Sequence, residues 1–526
     1  MNKPCIDKSD SYKAPSSEGL GRSTFLAADF GGGSGRILAG YLEADKLHLE
    51  EIHRFRNRQI RIGKHVYWDF PALFEDMKEG IRKAAARNDL CIKSIGIDTW
   101  GVDFGFIDAQ GNLLGLPVCY RDERTNGLCD EFIATHDVKA HYAKAGIQMM
   151  DINSIYQLIA LKREGSPIPD VAASLLFMPD LFSFFLTGNA NCEYTIASTS
   201  ELLDAKARTW NYPLIESLGY RHEMFPPIVM PGTVRGTLTA EVAADLGLTT
   251  DVKVIAVGSH DTQSASFASA YKTSQTLRRR ALKDTTDSET GQTNNSPSFG
   301  GVGEVAFLSS GTWSLLGVAL KEPILTEEAR LAGCSNEGGI LWFPSFGGVR
   351  GGYNFLQNIT GLWFLQRLMA EWEKRGENVA FDVILPAAEE ACIDTIVDVD
   401  DPVFANPHDM EQTILDYCHE HGMQVPKNIG ETVRIVLQSL AHRYAKGIRD
   451  FNALLPEPIK QINIIGGGSR NQLLNRLTAE ATGLPVVAGP VEATGIGNIL
   501  VQMTSLNPSE GGTSGCAETV VDISHL

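Results

Sequence analysis

The sequence contains the same arrangement twice: a short apolar strand, a polar turn rich in glycine, and a second apolar strand. The first copy spans residues 24–56, with its turn at Gly31–Gly35, and the second spans residues 304–320, with its turn at Ser309–Thr312. Elsewhere, short strands alternate with amphipathic helices, which is typical of an α/β fold. Two related domains that face each other across a cleft would explain the repetition.

Composition restricts the partners of such a chain. Its 526 residues are enough for two to four domains, and 64 acidic against 46 basic residues give a formal net charge of −18. This charge opposes broad binding to nucleic acid or anionic membranes, although a local basic pocket could hold one phosphorylated ligand. No apolar run approaches the roughly 18 residues of a membrane span. We expect small-molecule ligands, no nucleic acid and no membrane, and the oligomeric state stays open.

The cysteines favour a reducing compartment. There are nine, an odd number, and none belongs to a Cys-x-x-Cys pair. A disulfide framework or a structural zinc site is therefore not expected, and the cytoplasm is the predicted location. Whether any individual cysteines pair stays open.

Segments with little apolar content mark the ends of the domains. The polar stretch 1–23 lacks the apolar block of a secretory signal and predicts a disordered tail. Residues 24–265 and 266–510 are expected to form the two domains, and residues 511–526 a C-terminal tail. Within the second domain, residues 273–298 contain three consecutive arginines and then mostly polar residues, which predicts a flexible surface loop.

The first glycine-rich turn has the chemistry to hold phosphate. Asp29 ends a buried strand, four glycines and Ser34 follow, and Arg36 comes next. Successive backbone N–H groups in such a turn can bind an anion, while Asp29 could hold a metal ion through its water shell. The turn is neither a Walker A loop nor a dinucleotide-binding loop. Taken alone, it could equally be a hairpin turn without a ligand.

Two further turns could bind the same ligand. Ser309–Thr312 also lies between two apolar strands, so it could grip a polyphosphate from the side opposite the first turn. Gly466–Gly468 lies between a strand and a helix, where close backbone approach suits adenine or the ribose and α-phosphate. Each could also be a tight connection without a ligand.

Asp261 is the candidate proton acceptor. Residues 259–262, Ser-His-Asp-Thr, follow an apolar strand and precede a run of small residues. In phosphoryl transfer to an alcohol, an aspartate can accept the hydroxyl proton and orient the oxygen for in-line attack. His260 and Thr262 could hydrogen-bond other hydroxyls of a polyol, and Trp100 could stack on a sugar face. The alternatives are a helix-capping role for Asp261 and a core position for Trp100.

Six motifs, in this order, resemble the FGGY family of carbohydrate kinases. The resemblance extends from about residue 24 to residue 505. It implies two actin-like, ribonuclease-H-like domains with a nucleotide cleft between them, and ATP-dependent phosphorylation of L-rhamnulose at its C1 hydroxyl. The alternatives are a kinase for another ketose such as L-fuculose, or a nucleotide switch like actin or Hsp70. The motifs are residues 29–36, 97–104, 120–122, 259–262, 308–315 and 466–468.

The resemblance also implies roles for individual residues. Asp261 matches the catalytic base, and Asp29 is kept as the residue that would hold Mg²⁺ through water. The matching ATP-binding positions are Gly32, Gly33, Ser34, Gly35, Arg36, Thr312, Gln366 and Gly467. The matching substrate positions are Gly101, His260, Asp261, Thr262 and Asn358.

The match includes two residues of one predicted helix and departs from the family pattern in the first loop. Asn358 and Gln366 are eight residues apart and are expected on one helix, from which both could face the cleft. The first loop has Gly-Gly-Gly-Ser-Gly where relatives often have Ala-Ser-Ser-Gly, so one hydroxyl donor is missing.

Overall fold

The computed structural model describes residues 21–44, 46–271, 303–343, 348–404 and 407–506. The insertion predicted at 273–298, the tail at 511–526 and most of the tail at 1–23 lie outside these residues. The first strand begins at Arg22, which lies inside the N-terminal tail predicted at 1–23. Below, the first half means the described residues up to 271, and the second half those from 303.

Twenty strands occur in the described residues. Their bounds are β1 (Arg22–Phe30), β2 (Ser34–Glu43), β3 (Lys46–Arg56), β4 (Gln59–Ile62), β5 (His65–Trp68), β6 (Leu90–Asp98), β7 (Phe104–Ile107), β8 (Ser174–Phe177), β9 (Cys192–Glu193), β10 (Leu203–Asp204), β11 (Thr209–Trp210), β12 (Ile228–Val229), β13 (Val234–Thr237), β14 (Lys253–Ile255), β15 (Val305–Ser310), β16 (Trp313–Leu320), β17 (Ser335–Phe343), β18 (Gly348–Thr360), β19 (Gln461–Ile465) and β20 (Val486–Ala488).

The helices of the described residues alternate with these strands. Their bounds are α1 (Phe70–Ala85), α2 (Leu128–Thr135), α3 (Val138–Ala145), α4 (Ser154–Arg163), α5 (Ile168–Val171), α6 (Met178–Thr187), α7 (Tyr194–Ser198), α8 (Tyr212–Ser217), α9 (Ala240–Leu246), α10 (residues 261–271), α11 (Glu327–Leu331), α12 (Trp363–Lys374), α13 (Phe381–Glu390), α14 (Met410–Glu420), α15 (Ile429–Leu454), α16 (Gln472–Thr482) and α17 (Ala493–Leu506).

Two six-stranded sheets organise the two halves. The first has the order β13-β14-β6-β1-β2-β3 and the second the order β17-β18-β16-β15-β19-β20. In each, a central strand pairs antiparallel with the strand that follows it and parallel with a later strand on its other side. Five consecutive strands therefore follow one pattern in both sheets, which confirms the duplicated α/β fold predicted from the repeated strand–turn–strand segments.

Helix α1 shows how the helices cover these sheets. Asp69 caps its N-terminus by accepting a hydrogen bond from the Ala72 backbone N–H at 3.4 Å. Its apolar residues recur every three or four positions, so one face is buried against the first sheet. The buried positions are Phe70, Leu73, Met77, Ile81 and Ala84.

The last described helix joins the two halves. Although α17 follows the second sheet in the chain, it packs on the first: Gln502 Nε2–H donates to the Leu26 carbonyl at 3.0 Å, and Ser94 Oγ–H donates to Gln502 Oε1 at 2.7 Å. A buried apolar cluster, which we call the interdomain core, draws residues from both sheets, from α10 and from α17. Its members include Phe25, Leu38, Val257, Phe267, Phe307, Leu315, Ile465, Ile496 and Ile499.

The described residues bear on two expectations, one about membrane spans and one about cysteine pairing. No helix among the described residues is long and apolar enough to cross a membrane. Cys91 is disulfide-bonded, whereas six other described cysteines are free. The sequence left such pairing open, and the bonded Cys91 runs against the reducing compartment inferred from the cysteine pattern.

Candidate active site

The carboxyl ends of three parallel strands bring three aspartates to one edge of the first sheet. Asp29 ends β1 and Asp98 ends β6, and the two are paired neighbours across these strands. The segment after β14 joins them, because the Thr99 N–H donates to the Ser259 carbonyl at 2.8 Å and the Asp261 N–H donates to the Thr99 carbonyl at 2.9 Å. Parallel strands share their carboxyl edge, which explains why residues so distant in sequence meet.

Asp261 begins helix α10 with one carboxylate oxygen engaged. Its Oδ1 accepts the Thr262 backbone N–H at 2.6 Å and the Thr262 hydroxyl at 3.2 Å. The side chain keeps 27% of its surface exposed, whereas Asp98 behind it is fully buried. These contacts engage Oδ1, and no hydrogen bond to Oδ2 is formed within the described residues.

Burial shapes the acidity of these carboxyls. It raises the pKa of Asp261, and the nearby His260 opposes that rise. The pKa of Asp98 is raised well above its ordinary value, first by burial and then by the negative charge of Asp29. Asp98 Oδ2 accepts a hydrogen bond from Asn498 Nδ2 at 2.5 Å, while its buried Oδ1 finds no hydrogen-bond partner within the part of the chain that the structure describes.

A buried glutamate fixes the turn that carries His260 and Asp261. Glu193 accepts the Thr195 hydroxyl at 2.6 Å and the Ser259 N–H at 3.2 Å. The His260 N–H in turn donates to the Thr195 hydroxyl at 3.3 Å. Burial raises the pKa of Glu193 to about 7 despite these donors. The turn is therefore held by side chains as well as by the sheet.

Gly101 and Val102 line the space beside His260. A Cβ on Gly101 would lie 3.3 Å from Thr199 Cγ2 and 3.5 Å from His260 Nε2, so glycine keeps this space open. Val102 has a φ of 66°, which is strained for a β-branched residue. Its N–H donates to the Thr199 hydroxyl at 3.0 Å, and its carbonyl accepts the Ser154 hydroxyl at 2.6 Å. Such over-determined strain is typical of ligand sites.

Trp100 is a core residue in this structure. It is 5% exposed, and its ring lies 4.0 Å from the Trp68 ring, centroid to centroid. Both indole N–H groups donate to Asp103 Oδ2, at 2.6 Å from Trp68 and 3.0 Å from Trp100. Burial raises the pKa of Asp103 to about 6. The structure therefore favours a core role for Trp100 over stacking on a sugar.

The first glycine-rich turn is open at its tip. A Cβ on Gly32 or Gly33 would meet no atom within 4 Å, and Ser34 is exposed. Gly35 is different, because a Cβ there would lie 2.3 Å from the Phe55 ring. Packing alone therefore explains Gly35, whereas Gly32 and Gly33 leave backbone N–H groups accessible to a ligand.

Arg36 is engaged by two carboxylates. Its Nε and Nη2 donate to Asp29 Oδ2 at 3.0 and 2.7 Å, and its Nη1 forms an ion pair with Glu492. Glu492 immediately precedes α17. Arg36 thus ties the first turn to the segment that returns from the second sheet, and part of its charge is already neutralised.

The second and third turns lie against each other. A Cβ on Gly468 would sit 2.0 Å from Ser310 Oγ, so these two segments touch, whereas a Cβ on Gly467 would meet nothing within 4 Å. Thr312 Oγ1–H donates to Gln366 Oε1 at 3.2 Å. The structure therefore brings together two of the predicted ATP-binding residues of the second half, beside a turn whose backbone is open.

The expectation that Asn358 and Gln366 share a helix is wrong. Asn358 lies in β18, opposite Leu315 of β16, and Gln366 lies in α12. Asn358 Nδ2–H donates to Gln148 Oε1 at 3.4 Å, across the boundary between the halves. Pairing with β16 and β17 decides the conformation of residues 348–360.

Sequence reasoning missed two acids at this site. Glu337 of β17 accepts a hydrogen bond from His260 Nδ1, and Glu492 pairs with Arg36. Neither residue belongs to the six sequence motifs described above. Both act on partners far away in sequence, so no local pattern indicates their roles.

Solved structures of carbohydrate and polyol kinases share this fold. Glycerol kinase from Plasmodium falciparum with ADP matches with a TM-score of 0.71 and 16% identity, over 93% of this chain and 91% of that chain. Gluconate kinase from Lactobacillus acidophilus matches with a TM-score of 0.69 and 15% identity, over 92% of this chain and 89% of that chain. The architecture is therefore that of the two-domain sugar kinases.

Sequence comparison extends this from a fold to a family. Residues 24–268 match the N-terminal domain, and residues 306–506 the C-terminal domain, of the FGGY family of carbohydrate kinases. A rhamnulokinase from Bacteroides thetaiotaomicron is 40% identical over 481 residues, 91% of this chain and 90% of that protein. One from Halalkalibacterium halodurans is 36% identical over 485 residues, 92% of this chain and 94% of that protein.

The chain therefore belongs to the FGGY family of carbohydrate kinases. It is an enzyme of the sugar-kinase class, and the family implies ATP as its second substrate. The resemblance seen in the sequence motifs is confirmed.

Proposed function

We propose that the chain transfers the γ-phosphoryl group of ATP to the C1 hydroxyl of L-rhamnulose, giving L-rhamnulose 1-phosphate and ADP. The observation that supports the chemistry is Asp261, a carboxylate with raised pKa whose Oδ1 is held by Thr262. The substrate rests on the relatives named rhamnulokinase, which match over nine tenths of the chain.

Asp261 is the base of this reaction. The C1 oxygen attacks the γ-phosphorus, the bond from that phosphorus to the β–γ bridging oxygen breaks, and ADP leaves with the bonding electrons. The hydroxyl proton passes to Asp261 Oδ2. Thr262 keeps Oδ1 oriented, so the carboxylate does not need to rotate before it accepts the proton.

The nucleotide lies between the two halves. Backbone N–H groups of Gly32, Gly33 and Ser34 cradle its phosphates from the first half, with Gly35 and Arg36 supporting the turn. From the second half, Thr312, Gln366 and Gly467 contact the nucleotide, and they surround the junction of the second and third turns. The ketose occupies the space beside Gly101, His260 and Thr262, and Asn358 is the further residue proposed to contact it.

The residues at this edge suit magnesium bound through water. Among the described residues, no group of three or more His, Cys, Asp or Glu could hold a metal ion by itself, and Mg²⁺ usually keeps several waters. Asp29 would hold the ion. Arg36 bonds to Oδ2 of Asp29, and the neighbouring Asp98 has a buried oxygen, Oδ1, that is unpaired among the described residues. When bound, Mg²⁺ supplies neutralising charge to the β- and γ-phosphates.

Two further assignments belong to this proposal. The domains are residues 24–265 and residues 266–510, with α17 crossing back onto the first sheet as described above. The cytoplasm stays the proposed location on the strength of the six free cysteines among the described residues, although the disulfide at Cys91 argues against it.

Gly467→Ala should weaken ATP binding without loosening the fold. The new methyl group would enter open space, since no atom lies within 4 Å of it, so the melting temperature should stay within about 2 °C of the wild type. We expect the KM for ATP to rise at least about 5-fold because the methyl occupies the nucleotide's place, equivalent to roughly 1 kcal/mol of binding. Gly468→Ala is the matched control: its Cβ would lie 2.0 Å from Ser310 Oγ, so this variant should melt earlier. An unchanged KM for ATP in Gly467→Ala would remove Gly467 from the nucleotide site.

A panel of ketoses in a coupled ADP assay tests the substrate. L-Rhamnulose should give the highest kcat/KM and L-fuculose, its C4 epimer, a lower one, because a misplaced hydroxyl leaves buried polar groups unpaired. A ketopentose with the same remaining stereochemistry but no terminal methyl should keep measurable activity, since a methyl is worth only about 1–3 kcal/mol.

Each alternative predicts its own result in this panel. A higher kcat/KM for L-fuculose would overturn the proposed substrate and leave the sugar-kinase family intact. ADP formation that is equally fast without any ketose would instead favour the nucleotide switch.

A further inference from the structure

His260 is held by an acid from the opposite half of the molecule. Its Nδ1 lies 2.8 Å from Oε2 of Glu337, which belongs to edge strand β17 of the second sheet. Its Nε2 lies 3.6 Å from Asp261 Oδ1, on the other side of the ring. Glu337 is only 4% exposed, so little solvent screens the contact.

The contact with Glu337 determines whether Nδ1 of His260 carries a hydrogen. A carboxylate only accepts hydrogen bonds, so Nδ1 must carry the proton that it donates to Glu337. Gln263 Nε2 lies 2.7 Å from the same Oε2 and 3.4 Å from His260 Nδ1, so its N–H donates to the carboxylate, which is the nearer acceptor. Nε2 is left to face Asp261 and the space kept open by Gly101, where the ketose is proposed to bind.

The charges around His260 and Asp261 come from several elements. Glu337 of β17, Asp261 of α10 and Glu193 before α7 face His260. Burial alone lowers the pKa of His260, but these acids outweigh it and the pKa is raised. His260 and the negatively charged Asp29 of β1 face Asp261, and Asp98 of β6 lies behind them.

Glu337 is itself firmly placed. It pairs with Asn354 of β18 in the sheet, and the N–H of the next residue, Gly338, donates to the Ser198 hydroxyl at 2.7 Å. Gln263, which also bonds to Glu337, accepts a hydrogen bond from Asn354. Both halves therefore contribute to the position of the carboxylate.

We propose that Glu337 is a positioning residue for phosphoryl transfer: it holds His260 as an imidazolium whose Nε2–H faces Asp261 and the bound sugar. The positive end of the Glu337–His260 pair then lies nearest Asp261 and favours its ionised, proton-accepting form. The same N–H offers a charge-assisted hydrogen bond to a ketose hydroxyl. This inference rests on the proposed function, in which Asp261 is the base.

Glu337→Gln is the central test, because it keeps the shape of the side chain and removes its charge. His260 should then be neutral near pH 7, and the pKa of Asp261 should rise further. Because Asp261 must be ionised to act, the acid limb of the kcat/KM profile should move up by about one pH unit, with recovery at higher pH. The KM for the ketose should rise about 10-fold, while the KM for ATP stays within about 2-fold.

A double-mutant cycle tests whether Glu337 acts through His260. In a His260→Gln background, Glu337→Gln should cost less than about 2-fold, because its partner is already gone. Glu201→Gln is the matched control, since Glu201 is another buried glutamate paired with a histidine, His141, at 2.7 Å. Its pH profile should follow the wild type.

Several results would overturn the inference. The first is a loss of rate in Glu337→Gln that is uniform across pH. The second is additivity of the two substitutions in the double-mutant cycle. The third is a shift of the acid limb in Glu201→Gln equal to that in Glu337→Gln. If Glu337→Gln does not fold, Glu337→Asp, which keeps the charge, must retain the wild-type acid limb. If the wild-type enzyme makes no ADP with any ketose, the proposed function fails instead, so the two failures are distinguishable.

Discussion

Replacing Asp261 with asparagine should lower kcat by at least about 10²-fold, the lower end of what a general base contributes. Asparagine has nearly the same shape, and its Oδ1 can still accept the Thr262 N–H, so the start of α10 should remain in place. What disappears is the oxygen that takes the C1 proton. Turnover is measured with the coupled ADP assay, and ketose and ATP binding by calorimetry.

A second variant separates the base from general damage to the site. Asp261→Glu keeps a carboxylate but moves it by one methylene, so it should retain more turnover than Asp261→Asn. The melting temperatures of both should stay close to that of the wild type, because the side chain is partly exposed at the start of a helix. If Asp261→Asn keeps kcat within about 10-fold of the wild type while folded, Asp261 is not the base.

The duplicated sheet could be predicted from the sequence because its signals are local. A strand, a glycine-rich turn and a second strand are each recognisable within about 15 residues. The two strand-like runs at 36–43 and 47–56 predict an antiparallel pair, and β2 pairs antiparallel with β3. The turn at Asp261 was likewise visible as polar residues at the end of an apolar strand.

Tertiary pairing decided the places where the sequence misled. The apolar stretch Leu175–Leu186 predicts one buried helix, yet its first residues form β8, which pairs with β7, and α6 begins only at Met178. A continuous apolar run does not distinguish a strand from a helix. Asn358 is a second case, because its strand is fixed by two neighbouring strands.

The acids that complete the site could not be found from the sequence for a different reason. Glu337 lies 77 residues after His260, and Glu492 contacts Arg36 only because α17 returns to the first sheet. Hydrogen-bond partners at such separations depend on how the two halves pack. The sequence therefore indicates the candidate proton acceptor but not the groups that surround it.

Gly497→Ala should be among the most destabilising single substitutions in this chain. A Cβ on Gly497 would lie 1.8 Å from the Ser264 carbonyl oxygen and 2.6 Å from its carbonyl carbon. Both obstacles are backbone atoms of α10, so α10 or α17 would have to shift. Overpacking of this kind costs about 1–3 kcal/mol or more, against which alanine's better helix propensity returns about 1 kcal/mol. Because the obstacle is backbone, we expect the upper end of this balance, a net loss of about 2 kcal/mol, seen as a lower urea midpoint.

The same shift should reach the active site. Asn498 follows Gly497 and donates to Asp98, and Ser264 lies three residues after Asp261, so displacement of either helix disturbs the acids at the sheet edge. The matched control is Gly495→Ala in the same helix, where the Cβ would meet the end of the Leu38 side chain at 2.2 Å. That side chain can rotate away, so Gly495→Ala should cost less stability and less turnover than Gly497→Ala. Equal urea midpoints for the two variants would contradict a backbone contact between α17 and α10 at Gly497, and with it the close crossing through which α17 holds the two halves together.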